Sequence, residues 1–168
     1  MKKVLLAIDG IIPDSKIFRY AVELCKRIEA ELKVFQILRP QSYSKYLKEM
    51  RQKTEYARIF IEGSMVAAAF AEANEHGTAK EIMAEASKQI KNLMLESEQR
   101  GVPCHFSITS GKAEKEIVNY VNDHRDIVLT IYDASAQNTD RASRTPKKKR
   151  APEKIKKHLS VPLVVIQS

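Results

Sequence analysis

The feature that most constrains this chain is a short uninterrupted apolar run, Val4-Leu5-Leu6-Ala7-Ile8, that stops at Asp9-Gly10 with Pro13 just beyond. A strand with one solvated face alternates apolar and polar residues. A strand that is apolar throughout is buried on both faces, as in a parallel sheet clad by helices. The period then changes. Ile17, Tyr20, Ala21, Leu24, Cys25 and Ile28 fall at helical spacing, with Asp14 or Ser15 placed to cap the helix. Leu32 to Leu38 reads as a second strand closed by Pro40. Residues 4–38 therefore predict one β-α-β unit.

The alternation continues along the chain. A helix opened by Thr78 with Glu81 and stopped by Gly101-Val102-Pro103 would turn Ile82, Ala86, Ile90, Leu93 and Met94 inward. Cys104 to Thr109 reads as a third strand. Ser110-Gly111 leads into a helix that buries Ile117, Val118 and Val121, and Asp126 to Tyr132 is a fourth strand, again a continuous apolar run. Pro152 suits the first turn of a short helix to Leu159. Val161 to Ile166 is the last strand, and Pro162, lacking a donor, places it at a sheet edge or at a strand start. The expectation is a single α/β domain over residues 1–168: a five-stranded, open, parallel, doubly wound sheet with helices on both faces. Two stretches depart from the pattern. Residues 41–75, with Tyr43, Tyr46, Met50, Ile59 and Phe60 among small residues, read as a helical insertion after strand two, a lid or a subunit contact. Residues 133–150 hold little to bury and read as a flexible basic loop.

Charge is concentrated in that second stretch. The chain carries 29 Lys+Arg against 21 Asp+Glu, a net charge of +8. Residues 141–157 hold nine of the basic residues and one acid, so the remainder is neutral. This distribution excludes a uniformly basic nucleic-acid coat. The loop has three readings: a solvated segment kept open by self-repulsion, an anion site, or a docking surface for an acidic protein or nucleic acid. No aromatic residue interleaves Arg144 to Arg150, so base stacking from the loop, and with it nucleic-acid recognition, is disfavoured.

Catalytic signatures are absent from the sequence. His76, His105, His124 and His158 make no pair at metal-ligand spacing, and Cys25 and Cys104 make no metal or disulfide pattern. There is no Gly-x-Ser-x-Gly elbow and no phosphate-loop lysine motif. The expectation is a binding protein and not an enzyme, without a metal. No apolar run approaches the roughly 20 residues of a membrane span. The apolar run after Lys2-Lys3 ends at Asp9 with no cleavage site, so a cytoplasmic location is expected.

In order and spacing these elements resemble the universal stress protein family. The matching segments are Val4 to Gly10, Ser110-Gly111 before Glu116-Ile117-Val118, Asp126-Ile127-Val128-Leu129, and Glu153-Lys154-Ile155 followed by Val161 to Val165. The resemblance covers the whole chain except the 41–75 insertion and the 133–150 loop. It implies the strand order 3-2-1-4-5, a crevice between strands one and four, and a homodimer paired through the last strand around Val164 and Ile166. It also implies a stress-response regulator. Members that bind ATP carry a Gly, two residues, Gly, nine residues, Gly-Ser pattern at the crevice. Here the first two glycines fall on Ile131 and Ala134, and the Gly-Ser pair falls on Lys149-Arg150; there is no glycine after Gly111. Backbone that wraps phosphate closely has no room for Cβ atoms. The chain is therefore expected to bind no cofactor in the family manner. The alternative is an atypical binder of ATP, AMP or an anion, built from Asp9, Gly10, Ile131, Lys149 and Arg150.

Overall fold

A computed structural model of the chain describes residues 1–9, 13–38, 77–133 and 151–166. The expected insertion at 41–75 and residues 134–150 of the expected basic loop at 133–150 lie outside the described residues. In chain order the described elements are β1 (Lys3–Asp9), α1 (Ser15–Ile28), β2 (Glu31–Leu38), α2 (Gly77–Gln99), β3 (Cys104–Ser110), α3 (Ala113–Asp123), β4 (Ile127–Asp133), α4 (Ala151–His158) and β5 (Leu163–Ile166). The strands form one sheet in the order β3-β2-β1-β4-β5. Every neighbouring pair is parallel. The expected α/β class and strand order are both borne out.

β1 sits at the centre because it is the strand that must be buried on both faces. Val4, Leu5, Leu6, Ala7 and Ile8 are all at most 2% exposed. Their side chains divide by parity. Val4, Leu6 and Ile8 join a core with residues of α1 and α2, including Phe18, Ala21, Ile90 and Leu93. Leu5 and Ala7 join a second core with Ile117 and Val121 of α3 and Ile155 of α4. Removing each large side chain from water contributes about 1.5–3 kcal/mol, so a polar residue anywhere in this run would be costly.

Local capping follows the sequence closely. The Asp14 carboxylate accepts from the Lys16 and Ile17 amides at 2.8 and 3.2 Å, as its position before α1 predicts. The buried stripe of α1 is shifted from the expected one. Phe18 and Val22 join Ile17, Ala21 and Cys25, whereas Tyr20 is 48% exposed. A helix lying across a sheet buries the adjacent i and i+1 positions, which widens the stripe on one side and leaves Tyr20 off it. Val118 of α3 is half-buried for the same reason.

Strand limits also differ at functionally relevant ends. β1 extends through Asp9 and β4 through Asp133, one residue beyond each apolar run. The last strand begins at Leu163, and Pro162 stays outside it, its carbonyl accepting from the Thr130 amide at 3.0 Å. α4 is a charged helix anchored by Ala151 and Ile155. Ile155 is fully buried while Glu153, Lys154, Lys156 and Lys157 are exposed.

Candidate functional site

β1 and β4 are neighbours whose onward connections diverge: β1 leads to β2 on one side and β4 to β5 on the other. In open parallel sheets, ligands commonly bind beside the carboxyl ends of two such strands. Asp9 is the last residue of β1 and is 3% exposed. Tyr132, next to last in β4, is fully buried and donates its O–H to Asp9 Oδ2 at 2.9 Å. Register explains the meeting. Tyr132 pairs with Ala7, two residues before Asp9 on the same face of the sheet. The phenol spans that step along the strand.

The opposite face carries a second polar pair. Ile8 is flanked in register by Gln36 of β2 and Asp133 of β4, each 2% exposed. The carboxyl edge of the sheet thus concentrates two buried carboxylates, one carboxamide and one phenol within three adjacent strands. Such an edge can accept hydrogen bonds from hydroxyl and amino groups.

The sequence-derived candidates distribute as follows. Asp9 lies at this edge as expected. Ile131 lies within β4, paired with Leu6 and fully buried in the core shared with α1 and α2. Gly10, Lys149 and Arg150, with Ala134, lie outside the described residues. Tyr132, Asp133 and Gln36 were not singled out. A signal was present: a tyrosine and a glutamine inside strands buried on both faces must satisfy their polar atoms somewhere.

The described residues offer no activated thiol. Cys25 and Cys104 are both buried, and burial pushes each thiol up to about 12. At neutral pH neither presents thiolate, the form that reacts as a nucleophile. Among the described residues no cluster of His, Cys, Asp and Glu could hold a metal ion. No described helix is long and apolar enough to cross a membrane.

An open parallel sheet in this order, clad by helices, defines a doubly wound α/β protein. Solved structures narrow the class to the universal stress protein fold. The universal stress protein UspA from Lactobacillus plantarum is 16% identical, with 98% of this chain and 97% of that one covered and a TM-score of 0.52. The hypothetical protein MJ0577 is 14% identical over 100% of this chain and 97% of its own, with a TM-score of 0.57. A universal stress protein solved in complex with cAMP is 11% identical over 99% and 96%, with a TM-score of 0.52. No protein-family model matches the sequence, and no curated protein matches it. The likeness is one of fold, and it bears out the resemblance drawn from the order of the sequence segments.

Proposed function

We propose that this chain is an atypical universal stress protein: a regulatory binding module and not an enzyme, which does not bind ATP in the family manner. The observation that carries this reading is the buried hydrogen bond from Tyr132 to Asp9 across the β1–β4 switch point. It commits to the protein's own interior the carboxylate that the family resemblance would assign to a nucleotide. Asp133, at the end of the neighbouring strand, is buried as well. The module works as a homodimer built on the outer edge of β5. The basic segment 141–157, whose lysines 154, 156 and 157 are exposed on α4, is its docking face for an acidic protein.

A second reading is favoured by the relative solved with cAMP. In it the Asp9 carboxylate turns from Tyr132 to a nucleoside hydroxyl, and the basic segment meets the phosphate. Thermal unfolding in the presence of millimolar ATP, AMP or cAMP separates the two. A ligand held at 100 times its Kd adds about 2.7 kcal/mol of stability. No shift with any of the three is the expected outcome. A shift that disappears in Asp9→Ala would overturn the first reading in favour of the second.

A further inference from the structure

The opposite end of the sheet carries another polar feature, for which the crevice has no use. The amino ends of β1 to β4 and the end of α3 line an open pocket of about 270 Å³, with Lys3, Lys33, His105, Tyr120, His124, Asp126 and Ile127 in its walls. The strand pattern explains how it arises. Leu5, Ala7, Phe35 and Ile37 form the face covered by α3 and α4. Lys3 and Lys33 continue the same parity toward the amino ends, and His105 pairs directly with Lys33 on β3. α3 stops at Asp123, so the face opens there.

One ammonium in this pocket lacks a direct partner, although Glu31 lies beside Lys3 in register. Lys3 is held by Asp126, Nζ to Oδ2 at 2.6 Å, so those two cancel. Lys33 has no hydrogen-bond or ion-pair partner among the described residues, although it is half-buried. Burial lowers its pKa, and the neighbouring Lys3 ammonium lowers it further. A partly desolvated ammonium without a counter-charge is unfavourable unless an anion joins it. One wall is already ordered. His124 stacks on Tyr120 with ring centroids 4.0 Å apart and planes inclined by 16°, and Tyr120 stacks on Phe35 at 4.5 Å. The His124 Nδ1 lies 2.7 Å from the Tyr120 carbonyl oxygen and donates to it, which fixes the ring's orientation. His105 lies on the far side, its Nε2 3.9 Å from Glu31 Oε2.

We propose that this cavity is a binding site for a small phosphate-bearing molecule, with the Lys33 ammonium as its principal charge and Lys3, His105 and His124 around it. A lysine grips phosphate as a point charge and needs no planar fork. The volume is near the lower limit of small-molecule pockets and exceeds what a lone phosphate fills, so an organic phosphate with a small body suits it better. The site lies at the end of the sheet away from Asp9.

Amide and imidazole NMR shifts of the full chain test this, titrated with inorganic phosphate and, separately, with ribose 5-phosphate in a phosphate-free buffer. The expected result is saturable shifts at Lys33, His105, Tyr120 and His124 with either probe. Tighter binding of ribose 5-phosphate would assign the site to an organic phosphate, and equal binding would assign it to free phosphate. Lys33→Met should weaken binding at least about tenfold. It should also raise the melting temperature without ligand, because it removes the desolvated charge and keeps the packing, so loss of binding cannot be mistaken for misfolding. Shifts confined to residues 141–157, no shifts at all, or an unchanged response in Lys33→Met would each overturn the proposal.

Discussion

At the residue scale, two helices end on a positive φ and only one of them uses glycine for it. α2 closes with Gly101 at φ 78°, where the Gly101 amide donates to the Glu98 carbonyl at 2.9 Å and the Val102 amide donates to the Ser97 carbonyl at 3.0 Å. The buried Ser97 hydroxyl donates back to the Val102 carbonyl at 2.8 Å. α1 closes with Glu29 at φ 54°, a conformation that costs a residue with a Cβ about 1–2 kcal/mol. The two positions should therefore respond with opposite signs. Gly101→Ala meets no atom within 4 Å of its new Cβ, so its cost is backbone strain alone, about 1 kcal/mol. Glu29→Gly should stabilise by about 0.5–1 kcal/mol, the relief being partly offset by added freedom in the unfolded chain. Urea unfolding midpoints at unchanged slope measure both. Gly101 announces its role in the sequence, because it precedes Val102-Pro103 at the end of a helical pattern. Glu29 does not, because nothing in its type signals a left-handed cap.

At the element scale, α1 and α2 are joined by an ion-pair network that periodicity does not reveal. Glu96 of α2 accepts from Arg19 of α1 at 2.9 and 3.3 Å and from Arg100 at 2.9 Å, while Arg100 reaches Glu23 of α1 at 2.8 Å. The Arg19 guanidinium is the main cause holding the Glu96 carboxyl below its ordinary 4.5, and Arg100 adds to it. The sign follows directly. A carboxylate whose folded pKa is depressed adds stability above its unfolded value, and that contribution fades as pH falls through the folded value. Glu96→Gln should therefore lower the melting temperature slightly at pH 7. The gap to wild type should narrow as pH drops below about 4.5 and also in high salt, because the pairs are solvent-exposed. Thermal scans from pH 7 to pH 3, at low and high salt, read this out. A gap that held constant with pH would mean that Glu96 acts through packing and not through charge.

At the scale of the whole molecule, β5 is the edge strand beside β4 and carries Val165 at 37% exposure. Val164 and Ile166 pack partly against the core shared with α1 and α2, which leaves Val165 as the apolar residue at the surface. An apolar edge strand tends to pair with another copy. Light scattering should therefore give twice the 19.1 kDa chain mass at micromolar concentration, and Val165→Glu should halve it. A wild-type chain that stays at 19.1 kDa would remove the dimer from the proposed function. Much of this architecture was legible beforehand. Val4 to Ile8 declared a central strand because burial on both faces leaves no room for alternation, and the helical stripes between the runs declared the layers. The order 3-2-1-4-5 came through the family resemblance alone, since apolar period says which strands are buried and not which are neighbours. The candidate site was legible only at Asp9. Tyr132 read as the end of an apolar run, and nothing in the sequence marks Lys33 within the Leu32 to Leu38 strand. Tyr132 meets Asp9 across 123 positions of sequence, and Lys33 meets Lys3 and His124 around one cavity. Those meetings depend on strand order and register, which arise when distant segments pack. Apolar period along the chain specifies the elements and the faces they bury. Which polar side chains share an end of the sheet follows from long-range packing, because parallel register is set across long connections and leaves no local trace in the chain.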